Sequence, residues 1–445
     1  MPPPQPGRDP ATQLLLRNHG GWIAEANEAY WSWDELRRRP IPGGLGPEAA
    51  WDAVELVRGA NRRPLPLLRG RGDRSCSVWV TDRAWFTLLT VQGAVADPLA
   101  LAEAAFGPAS RRRFLNDSLI EEAVESSILE GAVSTRREGR RLLREGRIPR
   151  GRSERMMVNY LGTMTMLREA AEEPLSGDLI RQIHRAVTRD TLDDARNEGR
   201  LQQPGEQRVR VEDFEGHILH VPPPADELPA RIDALCRFAN EDQELPDAVR
   251  AILLHYQLGF DHPFVDGNGR TARALFYWSM LRAGHSLMQY PSISAVLRKA
   301  PGKYSRAYQH CAQTGDLSYF VLHQLGVLGR ALEGFAGYVK RKIGARRDAD
   351  EALREWGDLN LRQRLAVRHL LEDRLPLRAP SFAATFSVTR ATALSDLKGL
   401  AEAGLLEERR VGRKLEYAAP ADLDERISAG PDPSGRPTLD FDDQN

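Results

Sequence analysis

Apolar positions along this chain recur mostly at helical spacing, and only short stretches alternate as strands do. The run Arg-Thr-Ala-Arg-Ala-Leu-Phe-Tyr-Trp-Ser-Met-Leu-Arg, from Arg270 to Arg282, predicts a helix. Glu121-Glu-Ala-Val-Glu-Ser-Ser-Ile-Leu-Glu-Gly131 is helical in composition and stops at a glycine, the residue that commonly follows a helix. Residues 316–350 predict long helices, and another helix is expected near Leu361–Glu372. Ala393, Leu397 and Leu400 fit a helix buried on one side, which Gly404 ends. Strand signals are sparse: Ser77-Val-Trp-Val-Thr81, and a pair, Leu405–Arg410 and Lys414–Ala418, that could close a hairpin around Gly412. The expected fold class is therefore mainly α.

Composition adds boundaries. The Pro-rich start, 1–12, reads as a disordered leader, and 420–445 as a flexible Pro- and Asp-rich tail. Residues 13–110 carry Trp22, Tyr30, Trp31 and Trp33, a density that builds a small N-terminal core of unassigned role. A main domain is expected over 111–335, a helical linker over 336–355 and a small domain over 356–419. Segment 111–155 holds twelve Arg against eight acids, which reads as a salt-bridged helical surface. Lys+Arg 62 balance Asp+Glu 62, so no net charge steers the chain to nucleic acid. No apolar run reaches the length of a membrane span, so no membrane partner is expected. The start lacks an apolar signal region, and Cys76, Cys236 and Cys311 form no metal spacing and cannot all pair. A reducing cytoplasm is the expected location.

The chemistry concentrates in His-Pro-Phe-Val-Asp-Gly-Asn-Gly-Arg, residues 262–270, with Arg273 one helical step on. Gly267, Asn268 and Gly269 let the backbone turn with its N–H groups exposed, a nest for phosphate oxygens that opens onto a helix N-terminus. Arg270 and Arg273 share a helix face, and each can grip phosphate in a forked, charge-assisted way. Asp266 is the only acid in the motif; one carboxylate plus phosphate oxygens is how proteins usually hold Mg²⁺. His262 can take a proton from an attacking hydroxyl. Pro263 stiffens the turn and Phe264 anchors it. A turn without chemistry is the competing interpretation of any short Gly-x-Gly stretch.

This stretch resembles the signature of the Fic (Fic/Doc, or Fido) family, with every specified position present. Ser176–His184 resembles an earlier core helix, Gly199-Arg200 followed by Val221-Pro222-Pro223-Pro224 resembles the flap segment, and Ala251–Phe260 resembles the helix entering the motif. The resemblance implies a helical core with a β-hairpin flap, roughly 203–221, that pins a target by strand addition. It implies transfer of AMP from ATP to a Ser, Thr or Tyr hydroxyl of a target protein and of the chain itself. His262 would be the base, Asp266 the Mg²⁺ ligand, the loop amides and Asn268 the holders of the α- and β-phosphates, and Arg270 and Arg273 the grip on the β/γ end. Tyr304 and Tyr308 are candidates for the adenine pocket. Two departures stand out: Asp261 replaces the customary apolar residue, and the flap lacks Trp-Ile-Gly.

Upstream, Ser126 and Glu130 sit four apart within Ser-x-x-x-Glu-Gly, on a helix expected near 117–131. Alone this is an ordinary surface pattern. Beside the Fic resemblance it is similar to the family's inhibitory motif, whose Glu pairs with Arg273; in some relatives such a Glu also serves AMP removal, which stays open here. Residues 356–419 resemble a winged helix-turn-helix. Thr389, Arg390, Thr392, Ser395 and Lys398 could face a DNA groove, with Arg409, Arg410, Arg413 and Lys414 on phosphates; dimer or protein contacts are the alternative use, so DNA and a homodimer both remain open. Two function classes compete: an autoinhibited protein adenylyltransferase, and a DNA-binding regulator that uses the Fic core as a nucleotide sensor.

Overall fold

The structure, a computed structural model, describes residues 10–93, 96–107, 110–212, 218–373, 376–412 and 414–430. Residues 1–9 of the expected leader, 431–445 of the expected tail, 213–217 of the flap, and Arg413 lie outside the described residues. The chain divides into two compact units, Met1–Ala336 and Gly337–Asn445. It is mainly helical, and its sheets are two-stranded hairpins. Among the described residues no helix is long and apolar enough to cross a membrane.

The first unit opens with α1 (Pro10–Asn18), α2 (Gly20–Glu28), α3 (Trp33–Leu36) and α4 (Pro47–Asn61). They close on Leu15, Ile23, Trp31, Trp51 and Val54, so the aromatic residues of this segment build a core. Helix α1 begins at Pro10, inside the stretch expected to be disordered. The hairpin of β1 (Arg63–Arg69) and β2 (Ser75–Val78) follows, then α5 (Asp82–Gly93) and α6 (Ala96–Phe106). Residues 13–110 do not stand apart. The Tyr30 hydroxyl donates to Asp316 Oδ2 at 2.6 Å, Arg62 pairs with the same oxygen at 2.8 Å, and fully buried Arg58 donates to the Tyr319 hydroxyl at 2.8 Å.

The remainder of this unit comprises α7 (Ser110–Leu129), α8 (Arg136–Glu145), α9 (Arg152–Ala170), α10 (Gly177–Thr188), β3 (Val211–Glu212), β4 (Ile218–His220), α11 (Leu228–Glu241), α12 (Asp247–Asp261), α13 (Asn268–Arg282), α14 (Ile293–Leu297), α15 (Pro301–Thr314) and the start of α16 (Ser318–Glu355). Helix α13 packs against α12, α9 and α10. Residues 270–280 of α13 are buried all round, as expected of a central helix. Helix α7 starts at Ser110, earlier than expected, and ends at Leu129, so Glu130 lies in the turn after it with Gly131 at φ +88°. Arginines of α8 clamp α7: Arg136 and Arg140 reach Glu121, and Arg144 reaches Asp117 at 2.8 Å. Thr135 and Glu138 cap α8 reciprocally.

In the second unit α17 (Leu361–Asp373), α18 (Ala379–Phe386), α19 (Arg390–Glu402), the hairpin β5 (Glu407–Val411)/β6 (Lys414–Ala418) and α20 (Leu423–Ala429) surround Val367, Leu370, Phe382, Leu397, Leu400 and Tyr417. The hairpin begins two residues later than the sequence pattern predicts. Helix α20 buries Leu423 and Ile427, so the segment expected to be a flexible tail starts as a packed helix.

Candidate functional site

Helix α12 ends at Asp261, and His262 leaves it in the left-handed conformation, φ 47° and ψ 53°. His262 Nδ1 lies 3.3 Å from the Gly259 carbonyl. A carbonyl only accepts, so the ring proton sits on Nδ1, and the Nε2 lone pair has no donor among the described residues. Burial pulls the His262 pKa down to about 4, against the opposing influence of the Gly259 bond and Glu130, and His220 and Arg208 lower it further. The imidazole is neutral at pH 7.

The loop after it is held by bonds from its own side chains and from α10. Buried Asn268 donates through Nδ2 to the Phe264 carbonyl at 2.8 Å and accepts the Phe264 N–H at 2.9 Å. The Asn268 side chain thus closes the loop, with its second Nδ2 N–H and its backbone amide as the groups that would meet the expected phosphate. Phe264 stacks on His184 at 3.7 Å. His184 donates from Nε2 to the Asp266 carbonyl at 2.8 Å and accepts the Gly199 N–H on Nδ1 at 2.9 Å. Burial lowers its pKa to about 4, which keeps this tautomer neutral. Nothing in the sequence pattern marks His184 for this work. Gly267 has φ +81°, and a Cβ there would lie 2.5 Å from Thr188 Cγ2, so only glycine fits.

Helix α13 then presents the first-turn amides of Asn268, Gly269 and Arg270, which have no carbonyl one turn earlier in the helix. The Glu130 carboxylate covers this end; a Cβ on Gly269 would fall 2.2 Å from Glu130 Oε1. Fully buried Arg273 meets Glu130 Oε1 through Nη1 at 3.0 Å, the Ser126 hydroxyl through Nε at 3.0 Å and the Ser126 carbonyl through Nη2 at 3.2 Å. Arg270, also fully buried, donates from Nη1 to the Val187 carbonyl at 2.8 Å, while its Nε and Nη2 lack a hydrogen-bond partner among the described residues. Asp266 accepts the Gly267 N–H on Oδ1 at 2.5 Å; its Oδ2 pairs with Arg152 at 2.9 Å and lies 3.8 Å from Arg270 Nη2. Arg152, at the start of α9, escaped the sequence pattern.

Of the two tyrosine candidates, Tyr304 comes beside the Arg273 side chain of the motif. The Tyr304 hydroxyl lies 2.8 Å from His255 Nε2, the Tyr308 hydroxyl donates to the His255 carbonyl at 3.1 Å, and both rings pack on Phe320. Both belong to an aromatic cluster that backs the Arg273 side chain, with Tyr304 its nearer member. A cleft of about 970 Å³ lined by Arg168, Asp247, Trp278 and Arg282 contains none of the motif residues 262–273. In the second unit Thr389 caps α19 by accepting the Thr392 N–H at 3.1 Å, and Thr392, partly buried, also bonds the Thr389 hydroxyl. Arg390, Ser395 and Lys398 on α19, and Arg409, Arg410 and Lys414 on the hairpin, are exposed.

Residues 174–280 match the model of the Fic/DOC family, and this segment is a Fic/DOC domain. The chain is similar to the protein adenylyltransferase fic-1 of Caenorhabditis elegans, 25% identical over 259 residues, covering 56% of this chain and 46% of that protein. It is 34% identical over 104 residues to the protein adenylyltransferase Fic of Nematostella vectensis, covering 23% of each. It thus spans less than half the length of these relatives. A solved structure of C. elegans Fic-1 (residues 134 to 508) resembles it with a TM-score of 0.49 at 19% identity, covering 74% of this chain and 86% of that one.

Proposed function

We propose that this protein is an autoinhibited protein adenylyltransferase, moving AMP from ATP to a Ser, Thr or Tyr hydroxyl of a target protein and of itself. One observation carries the proposal: a neutral imidazole, His262, whose proton is held on Nδ1 so that Nε2 presents its lone pair, on the loop that leads into an anion cradle with two fully buried guanidiniums. A nucleotide sensor needs the cradle but has no use for such a base, so the DNA-binding regulator is the weaker reading. The names borne by the similar proteins agree with transfer of an adenylyl group.

In this reading His262 Nε2 accepts the hydroxyl proton as the oxygen attacks the α-phosphorus. The bond from that phosphorus to its bridging oxygen breaks, and pyrophosphate leaves. Arg270 Nε and Nη2 and the first amides of α13 would hold phosphate oxygens, because a buried unpaired donor gains most from an anion. Most of the rate comes from positioning and charge, which are what such transfers ask of a protein. A half-exposed carboxylate beside phosphates fits Mg²⁺, with Asp266 Oδ2 as ligand once Arg152 lets go; the cation would neutralise phosphate charge. Glu130, lying on Gly269 and tied to Arg273, keeps the cradle occupied by protein charge, which is the proposed inhibition. The β3–β4 hairpin would receive a strand of the target. Label from ATP carrying ³²P at the α-position should become covalent on protein, and label from the γ-position should not.

A further inference from the structure

The last carbonyls of a helix have no partner inside it and carry the negative end of its dipole. At the end of α12 two of them, of Phe260 and Asp261, and the two carbonyls that follow the helix are taken up by one segment, residues 202–212 and 218–220 around the β3–β4 hairpin. His220 Nε2 lies 2.7 Å from the Phe260 carbonyl. Arg208 Nη2 donates to the carbonyls of Asp261, at 2.6 Å, and of His262 itself, at 3.0 Å. The Gln202 N–H donates to the Pro263 carbonyl at 2.9 Å. Four consecutive carbonyls around the base, Phe260 to Pro263, thus take their donors from one segment. Arg208 is central to the set: its Nε also donates to the Pro223 carbonyl at 2.7 Å, and Nη1 reaches Gln202 Oε1. The planar fork spans what a lysine ammonium cannot.

We infer that Arg208 is a positioning residue for His262: it caps α12 from the flap and so ties the target-binding hairpin to the placement of the base. The inference rests on the transferase reading. His262 occupies a left-handed conformation that its neighbours must hold, and these bonds hold it from the carbonyl side. A target strand added to β3–β4 therefore bears on the segment that fixes the base, and an unseated flap leaves His262 loose.

The test uses the full chain carrying Glu130→Gly, so that transfer is measurable. Arg208→Met should lower kcat about 10²-fold, the scale of a small misplacement of a reacting group, with nucleotide affinity retained. Arg208→Lys should recover part of kcat, because it keeps the charge at the helix end but not the fork. In a His262→Ala background Arg208→Met should add no further loss, since its effect passes through that ring. Should Arg208→Met fail to fold by circular dichroism, the lysine variant in the two backgrounds carries the same comparison. Unchanged kcat, or an equal loss with and without His262, overturns the positioning role. Failure of Glu130→Gly itself to transfer label from the α-phosphate overturns the transferase reading, and the positioning role with it.

Discussion

The Arg273 guanidinium meets the Glu130 carboxylate at 3.0 Å, and that carboxylate also lies over Gly269 at the start of α13. Because Arg273 is fully buried, this is no surface ion pair of negligible worth; removing its counter-ion leaves a charge in the interior. A triphosphate is the natural replacement, since it brings negative charge to the same guanidinium. Under the proposed function the pair would oppose nucleotide chemistry by offering a protein carboxylate where phosphate charge would sit.

Glu130→Gly should raise self-labelling by about 10²-fold, the scale on which misalignment of a reacting centre is felt. Arg273→Ala should give no such gain, because it removes brake and grip together. Ser126→Ala should release inhibition only in part, as Ser126 donates none of the charge but accepts from Arg273 Nε at 3.0 Å. Autoradiography of the three variants side by side decides this; equal labelling by Glu130→Gly and wild type contradicts it.

His262→Ala, made on the Glu130→Gly chain, should cost about 10²–10⁴-fold in transfer, the usual worth of a general base. Nucleotide binding should persist, since the cradle and both arginines remain. Calorimetric titration with ATP alongside the transfer assay separates the two; loss of binding in proportion to activity contradicts the assignment.

The pH dependence follows from the lowered His262 pKa of about 4. A base whose pKa is depressed stays neutral until the pH falls through that value, so kcat/KM should be flat from pH 8 to 6 and decline only on approach to pH 4; a limb centred on the ordinary imidazole range contradicts it. Stability has the same sign. His262 and His184 titrate near 4 when folded and near 6.5 when unfolded, so the unfolded chain binds more protons in that window and stability falls as pH drops through it. Circular dichroism at each pH keeps unfolding apart from loss of the base.

Asp261 illustrates what the sequence leaves out. It reads there only as a departure from the apolar residue that customarily precedes the base. In the structure it is fully buried, accepts Arg231 Nη1 at 3.0 Å and Gln257 Nε2 at 2.9 Å, and Arg231 in turn donates to the Arg69 carbonyl of β1 at 2.9 Å. Burial raises its carboxyl to about 6, with Arg231 opposing. Arg231→Met should cost roughly 3–5 kcal/mol by stranding the carboxylate, while Asp261→Ile with Arg231→Met should recover most of it. Urea titration measures both; additive losses contradict the pairing.

The candidate motif from His262 to Arg273 was legible because its parts are local: nearly consecutive residues, glycine at two tight points, arginines one turn apart. The pairing of Glu130 with Arg273 spans 143 residues, and only the family resemblance pointed to it. Arg152, His184 and Arg208 left no local signal, because each takes its role from a carbonyl or carboxylate that folding delivers from elsewhere. The bonds by which Asn268 closes the loop on Phe264 were equally invisible, because a sequence does not show which backbone groups a turn brings back to a side chain.

The most direct measurement of the central claim compares protein labelling from α-³²P-ATP and γ-³²P-ATP, with Mg²⁺, for the wild-type chain, Glu130→Gly, and Glu130→Gly with His262→Ala. The account predicts covalent label from the α-position alone, weak in wild type, strong in Glu130→Gly and lost again without His262. Label from the γ-position, or undiminished α-label in the absence of His262, would contradict it.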